Sequence, residues 1–225
     1  MSSDTKFAQS EHLLTTPHSA AIAGIIAGTL FITSHALIVM SLPVNGADLA
    51  TGSHHTTASI AFQLLPFAGI AFLWFMGVVR DRLGRREDQF YSTVFLGSGL
   101  LYLAMTFTAT ALASGLWLFF SINVPGAIEN VYNFGRSLVT QLTQVFGLRM
   151  ASVFMLSSAT MWMRTQVMPR WLAALTAVLA LILLFTVGYS PWIPLLFPVW
   201  ILLVSILILI SNLRRKPAIM ETKNT

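Results

Sequence analysis

Three polar residues interrupt long apolar stretches of this 225-residue chain: His35, Gln63 and Arg149. An ionisable side chain at membrane depth is a functional candidate, because arginine at a bilayer centre costs about 2.5 to 3.5 kcal/mol on insertion scales. If the three side chains line one cavity, His35 could carry a proton or bind a small polar solute, and Arg149 would favour anions. The alternative is that His35 is a hydrogen-bonded structural histidine and that Arg149 reaches the nearby interface.

Glu129 is the acidic residue that we expect to belong to the same polar cluster as His35, Gln63 and Arg149. The apolar stretch that carries Arg149 is predicted to begin near Val145, which places Arg149 about 6 Å below the outer end of its span at 1.5 Å per residue. An ion pair between Arg149 and Glu129, or an anion contact of Arg149, is the alternative to an interfacial arginine. We therefore expect His35, Gln63, Arg149 and Glu129 to be the candidate cavity residues.

No pattern of residues predicts a metal site or an enzyme. The chain has no cysteine, and His12 and His18 are predicted on the opposite side of the membrane from His54 and His55. Adjacent histidines cannot share the i, i+4 helix face that metal sites use, so a zinc or copper site with His35 is disfavoured. Phosphate-binding glycine loops, nucleophile elbows and paired intramembrane carboxylates are also missing from the sequence. We expect no cofactor, no metal and no enzymatic activity.

The composition of this chain indicates that most of it is surrounded by lipid. Apolar residues make up 56% and charged residues 9% of the sequence, and the mean hydropathy is +0.75. Soluble domains carry about 25% charged residues, so an ordinary soluble enzyme is excluded. The formal net charge is +5. Because basic residues accumulate on the cytoplasmic side of membrane proteins and near anionic lipids, this charge does not require a nucleic-acid partner.

Six apolar runs are long enough to cross a bilayer, which takes about 20 helical residues. The sequence therefore predicts an all-α polytopic membrane protein: a bundle of six transmembrane helices, with a tail at each end of the chain and one amphipathic interfacial helix. The tails cover residues 1–18 and 212–225, the spans run over about 19–42, 57–79, 90–116, 145–163, 171–189 and 191–211, and the amphipathic helix covers about 127–144.

The amphipathic helix is predicted from apolar residues at spacings of three and four, with polar residues between them. Three placements are open: flat on the outer interface as a cap, upright as an extension of the fourth span, or as a lid over an outward-facing cavity. The apolar stripe consists of Ile128, Val131, Gly135, Leu138, Leu142 and Val145.

Basic residues predict the orientation. Eleven of the thirteen lysines and arginines fall on one side of the predicted spans, which indicates that both termini are cytoplasmic in a plasma (inner) membrane. Membrane lipids, with anionic lipids at the cytoplasmic face, are the expected partners. The eleven residues are Lys6, Arg80, Arg82, Arg85, Arg86, Arg164, Arg170, Arg214, Arg215, Lys216 and Lys223.

Gly24 and Gly28 have the GxxxG spacing that lets two membrane helices approach closely, and His35 lies on the same helix face. We expect this face to pack against a neighbouring helix, which in an accessory protein could belong to a partner. Indoles prefer the membrane interface. Trp162 at a span end fits this preference, while Trp74 and Trp200 lie deeper and are predicted to be packing residues.

The connection between the second and third spans reads Gly77-Val78-Val79-Arg80-Asp81-Arg82-Leu83-Gly84-Arg85-Arg86. It resembles the loop signature G-x-x-x-D-R-x-G-R-R of the major facilitator transporters. The resemblance implies that Asp81, Gly84 and Arg85 latch the two halves of the molecule. Those transporters have about twelve spans, so this chain would act as a half-transporter in a homodimer.

As a whole, the chain is similar to a group of uncharacterised bacterial integral membrane proteins of this size, in which a basic loop is followed by acidic residues such as Glu87 and Asp88. This resemblance implies a six-span architecture and lends no activity. Two hypotheses for the function follow. The favoured one is a non-catalytic structural or accessory membrane component, alone or with a membrane-protein partner; the alternative is a small-solute or proton-linked transporter.

Overall fold

The structure is a computed structural model that describes residues 16–41, 55–83, 89–121, 128–165, 168–186 and 190–221. Every regular element in these ranges is helical, which confirms the predicted all-α fold for this part of the chain. The helices are α1 (Thr16–Ser41), α2 (His55–Leu83), α3 (Gln89–Ser121), α4 (Ile128–Thr140), a π-helical segment (Gln141–Gly147), α5 (Leu148–Thr165), α6 (Arg170–Phe185), a 3-10 turn (Ile193–Leu195) and α7 (Leu196–Glu221).

Five helical stretches are long and apolar enough to cross a membrane. Because the hydrocarbon core is about 30 Å thick, a helix needs about 20 mostly apolar residues to span it. The sixth apolar helix, α6, has only 16 residues. The five stretches are Ala21–Ser41, Thr57–Arg80, Phe90–Phe119, Asn130–Thr165 and Ile193–Ser211.

The predicted amphipathic helix is continuous with the helix that follows it. From Ile128 to Thr165 the backbone stays helical through α4, the π-helical segment and α5. The sequence left three placements open for this segment. The structure has the second of them, in which the segment extends the helix of the predicted fourth span. The face that packs on α3 is shifted from the predicted stripe, since Tyr132 and Gly135 are buried whereas Val131 and Leu138 are exposed.

Small residues set the packing of α1. A Cβ atom added at Gly24 would collide with the Ser205 hydroxyl of α7 and lie 2.7 Å from the ring of Phe75 in α2. One added at Gly28 would lie 2.9 Å from the Leu202 Cβ atom of α7. Such close approach is the use of GxxxG spacing in membrane helices. The glycine face of α1 is therefore occupied by two helices of the same chain.

Aromatic rings from five helices meet at the centre of the bundle. Phe72 of α2 lies 6.1 Å from Phe31 of α1, 6.0 Å from Tyr102 of α3, 5.4 Å from Phe154 of α5 and 5.9 Å from Phe197 of α7, measured between ring centroids. All five side chains are buried. We call these five residues the aromatic core. It joins α1, α2 and α7 to α3 and α5.

Tryptophan placement differs in part from the prediction. Trp200 is buried as predicted, stacks on Trp162 at 5.9 Å and donates its indole N–H to the Thr176 hydroxyl of α6 at 3.1 Å. Trp162 therefore packs inside the bundle, two residues before Arg164 at the end of its helix. Trp74 is 71% exposed, so the prediction that it packs inside the bundle is wrong. Hydropathy predicts the position of a residue along a helix, but it does not predict the face of the helix on which the residue lies.

Large apolar side chains cover the outside of the bundle. Phe185 of α6 is 78% exposed, and Met40 of α1 and Phe67 of α2 are similarly open. Soluble monomers rarely present contiguous apolar surfaces of this kind. An apolar exterior around an apolar interior is typical of a protein that is embedded in lipid.

The two ends of the bundle differ in their charged residues. Arg80 at the end of α2, Arg164 at the end of α5 and Arg170 at the start of α6 lie at one end, which we call the basic end. There Arg164 donates a hydrogen bond to the Tyr91 hydroxyl at 3.2 Å, with its guanidinium carbon 4.5 Å from the ring centroid. The other end, where α1 and α3 terminate, is called the opposite end.

Candidate functional site

Arg149 lies in the middle of the longest apolar helical stretch, nineteen residues after Asn130 and sixteen before Thr165. Its neighbours in the chain fix its level against α3. A Cβ atom added at Gly147 would lie 3.9 Å from Met105, and one added at Gly99 would lie 3.1 Å from the ring of Phe154. Arg149 is therefore level with the centre of the apolar stretch of α3 and not with its edge.

The helix that carries Arg149 begins at Ile128 and not near Val145, as hydropathy predicts. Gln141, Thr143 and Gln144 lower the local hydropathy and imitate the edge of a span, although the backbone stays helical through them. The predicted depth of about 6 Å depended on that boundary. Arg149 therefore lies 21 residues after the start of its helix, and its depth in a membrane stays a prediction.

The guanidinium of Arg149 is held by its own helix. It is half-buried, and its Nη1 atom donates a hydrogen bond of 3.1 Å to the carbonyl oxygen of Val145. Val145 belongs to the π-helical segment, whose last bond runs from the Leu148 N–H to the Thr143 carbonyl, five residues back. π-Helical turns are rare and occur frequently at functional sites. This one spans seven residues and ends two positions before Arg149.

The π-helical segment also carries a buried polar atom. The Oε1 atom of Gln144 is buried and has no hydrogen-bond partner in the described part of the chain. By contrast, the nearby Thr143 hydroxyl donates to the Val139 carbonyl at 2.8 Å, in its own helix. No pattern in the sequence indicates this burial, because Gln144 lies among the polar residues of an amphipathic pattern. We call Gln144, Val145 and Arg149 the Arg149 site.

Glu129 cannot pair with Arg149 within one chain. The two residues are twenty positions apart on a continuous helix, which separates their backbones by about 30 Å at 1.5 Å per residue. Arginine and glutamate side chains together bridge much less than this. The ion pair between these two residues that the sequence suggested therefore cannot form within one chain. The Glu129 side chain lies outside the described residues.

His35 connects α1 to the segment before α7. Its Nε2 atom lies 2.8 Å from the Pro191 carbonyl oxygen, and since a carbonyl only accepts, Nε2 carries the proton of this hydrogen bond. Ser34 beside it is fully buried, and its hydroxyl has no partner among the residues that the structure describes. A serine in an apolar run gives no such signal in the sequence.

Gln63 is exposed on α2, and its amide nitrogen donates to the Ser59 hydroxyl one turn earlier in the same helix, at 3.3 Å. His35, Gln63 and Arg149 therefore have three separate sets of partners. Within the described ranges no hydrogen bond joins any two of them.

The predicted latch falls mostly beyond the described residues. Helix α2 continues to Leu83, so Asp81 is in its last turn. The Asp81 side chain, Gly84 and Arg85 lie outside the ranges whose structure is described. A search of those ranges for three or more histidine, cysteine, aspartate or glutamate side chains that could hold a metal ion finds none.

Fold and site together define a class: an all-helical protein with membrane-length apolar helices and an arginine at the middle of the longest one. Comparisons of the chain with protein-family models, with curated proteins and with solved structures find no match.

Proposed function

We propose that the chain is a multi-pass protein of the plasma (inner) membrane that serves as a non-catalytic component of a membrane assembly. It has six transmembrane helices, both termini in the cytoplasm and the basic end facing the cytoplasm. The arginines of the basic end support this orientation, because lysine and arginine accumulate in cytoplasmic loops.

The sixth span in this proposal is α6. Its 16 residues measure about 24 Å at 1.5 Å per residue, close to the hydrocarbon thickness of about 30 Å. Val178, Ile182 and Phe185 are all more than half exposed, as expected for a helix that faces lipid.

The aromatic core is the observation that carries a non-catalytic role. Rings from five helices interlock there. They hold one group of helices, α1, α2 and α7, in direct contact with the other, α3 and α5. A solute path through the bundle would have to separate these rings, whose contacts are each worth about 0.5 to 1.5 kcal/mol beyond their burial. Such packing favours a rigid scaffold over a protein that alternates between two open states.

Hydroxyl groups inside the bundle support the same role. The buried serines Ser152, Ser158 and Ser205 each donate to the carbonyl four residues earlier in their own helix, at 2.7 to 2.8 Å. Hydroxyls that are satisfied locally do not need water or a solute. The polar groups of the bundle are thus mostly used to hold its helices in shape.

A second candidate function is transport of a small solute, favoured by the Arg149 site. An arginine at membrane depth beside a π-helical segment is the kind of feature found on ion and substrate pathways. In that case the chain would act as a half-transporter in a homodimer, with Asp81, Gly84 and Arg85 as the latch, as the loop resemblance implies.

Cysteine labelling separates the two functions, because the natural chain has no cysteine. Ser34→Cys and Ser152→Cys place a thiol at fully buried positions, and Arg170→Cys places one at an exposed position of the basic end. In membrane vesicles open to both faces, a charged maleimide should modify Arg170→Cys alone. After denaturation all three should react.

Modification of Ser34→Cys or Ser152→Cys in the folded protein would indicate a water-filled path through the bundle. That result would contradict the scaffold proposal and favour transport.

A further inference from the structure

We propose that the Arg149 site is the docking point for a transmembrane helix of a different membrane protein, one that carries a carboxylate at the same depth. This inference deepens the proposed function, on which it rests, by naming the chemistry of the partner. The inference goes beyond the proposed function because it assigns the contact with the partner to one side chain, that of Arg149.

Among the described residues, the Arg149 guanidinium contacts only a backbone carbonyl and no acidic side chain. A guanidinium has five N–H donors, and Arg149 makes one hydrogen bond among the described residues, to Val145. Ionisable side chains within membranes pair with an opposite charge or a backbone carbonyl, and an unpaired charge there is costly. The remaining donors face an environment in which a carboxylate is the strongest available acceptor.

The acidic residues of this chain lie outside its apolar stretches in the sequence. All eight acidic residues fall outside the five membrane-length stretches and outside α6. They are Asp4, Glu11, Asp48, Asp81, Glu87, Asp88, Glu129 and Glu221. A second copy of the chain in the same orientation would have the same distribution and could not supply the missing charge. The partner is therefore a different protein and not a homodimer.

The position of Arg149 on the bundle gives a partner access from the side. Helix α6 packs against α5 and has 16 residues, and Arg149 precedes Thr165 by the same number, so α6 ends at about the level of Arg149. Beyond that level α6 no longer flanks the helix of Arg149. Phe146, one turn earlier, is 53% exposed there. The exposed ring of Phe146 marks a side of this helix that a partner helix can contact.

A small soluble anion fits this location less well. Arg149 is half-buried, whereas Leu148, Ala151 and Met155 of the same helix are fully buried against the bundle. A carboxylate on a transmembrane helix arrives by lateral diffusion in the bilayer.

The test uses the full chain in liposomes with labelled synthetic peptides. Each peptide is a polyleucine transmembrane helix with glutamate, glutamine, lysine or leucine at its centre. Energy transfer between chain and peptide reports association. We expect the glutamate peptide to bind at least tenfold more tightly than the glutamine or leucine peptides. Arg149→Leu should remove that preference, and Arg149→Lys should keep most of it.

Charge reversal gives the sharpest outcome. Arg149→Glu should lose the glutamate peptide and gain the lysine peptide, which a purely structural arginine would not do. Arg136→Leu is the matched control, since Arg136 lies on the same continuous helix, is exposed, and is far from the Arg149 site. It should bind like the natural chain. Fluorescence of the buried Trp162 and Trp200 verifies folding of each variant.

Equal binding of the glutamate and glutamine peptides, or full binding by Arg149→Leu, would overturn the proposal. So would displacement of the glutamate peptide by chloride, phosphate or acetate at millimolar concentration, since that would indicate a small-anion site. These outcomes are independent of the labelling of Ser34→Cys and Ser152→Cys, which tests the scaffold function itself.

Discussion

Gly24 and Gly28 are two residues at which a larger side chain does not fit the packing of the bundle. An added methyl group at Gly24 would meet Ser205 and Phe75, and one at Gly28 would meet Leu202 and the Pro198 carbonyl. Because these contacts are within one chain, the GxxxG face of α1 is not available to a partner helix. A substitution there acts first on the fold.

We predict that Gly24→Ala and Gly28→Ala each destabilise the isolated protein by about 1 to 3 kcal/mol, the usual range for overpacking a core. Gly97→Ala is the matched control, since an added Cβ atom at Gly97 of α3 meets nothing within 4 Å. Reversible unfolding in mixed detergent micelles measures all three. Glycine is about 1 kcal/mol less favourable than alanine inside helices, so the control should be neutral or stabilised. If Gly24→Ala and Gly28→Ala were as stable as the natural protein, the packing described here would be contradicted.

Some site residues were predictable and others were not. Arg149 and His35 stand out in the sequence because ionisable groups are rare in apolar runs. Their partners do not: the Pro191 carbonyl that meets His35 is 156 positions away, and backbone acceptors leave no trace in side-chain identity. The burial of Gln144 depends on how α4 and the π-helical segment pack on α3, which periodicity alone does not determine.

At the scale of elements, the π-helical segment is the feature that periodicity could not predict. Apolar spacing reports which residues share a face, and a π turn shifts that face by about one residue without changing the composition. Apolar length predicted the helices well, because about 20 apolar residues are required in any bilayer. Their ends were predicted less well where polar residues such as Gln141 continue a helix.

We predict that deletion of Thr143 lets the π-helical segment relax to an α-helix and leaves α4 in contact with α3. A π turn accommodates one extra residue, so its removal keeps the flanking helices aligned. Deletion of Ser137 from the regular part of α4 should instead rotate Gly135 by about 100° away from Leu116. The readout is a disulfide between cysteines placed at Gly135 and Leu116, whose side chain lies 2.6 Å from an added Gly135 Cβ atom.

The cross-link should form in the parent and in the Thr143 deletion and should be lost in the Ser137 deletion. Loss in both deletions would show that the π-helical segment is required for the contact between α3 and α4.

At the scale of the whole molecule, the proposed orientation follows from the distribution of charge between the two ends. Arg80 and Arg170 are exposed at the basic end, and Asn133 is exposed on α4 at the opposite end. We predict that a membrane-impermeant maleimide labels Asn133→Cys in intact cells. Arg80→Cys and Arg170→Cys should be labelled only after permeabilisation, because the basic end faces the cytoplasm. The reverse pattern would invert the topology.

The unequal lengths of α3 and α6 have a consequence for the surrounding bilayer. The 33 residues of α3 measure about 50 Å, and the 16 residues of α6 measure about 24 Å. Hydrophobic mismatch of this kind is relieved on the short side by thinning of the adjacent lipid, at a cost of a fraction of a kcal/mol per Å. If α6 is the sixth span, as proposed, the lipids beside it are compressed relative to those beside α3. The protein should concentrate in thin regions of a membrane and draw other short-span proteins to the same side.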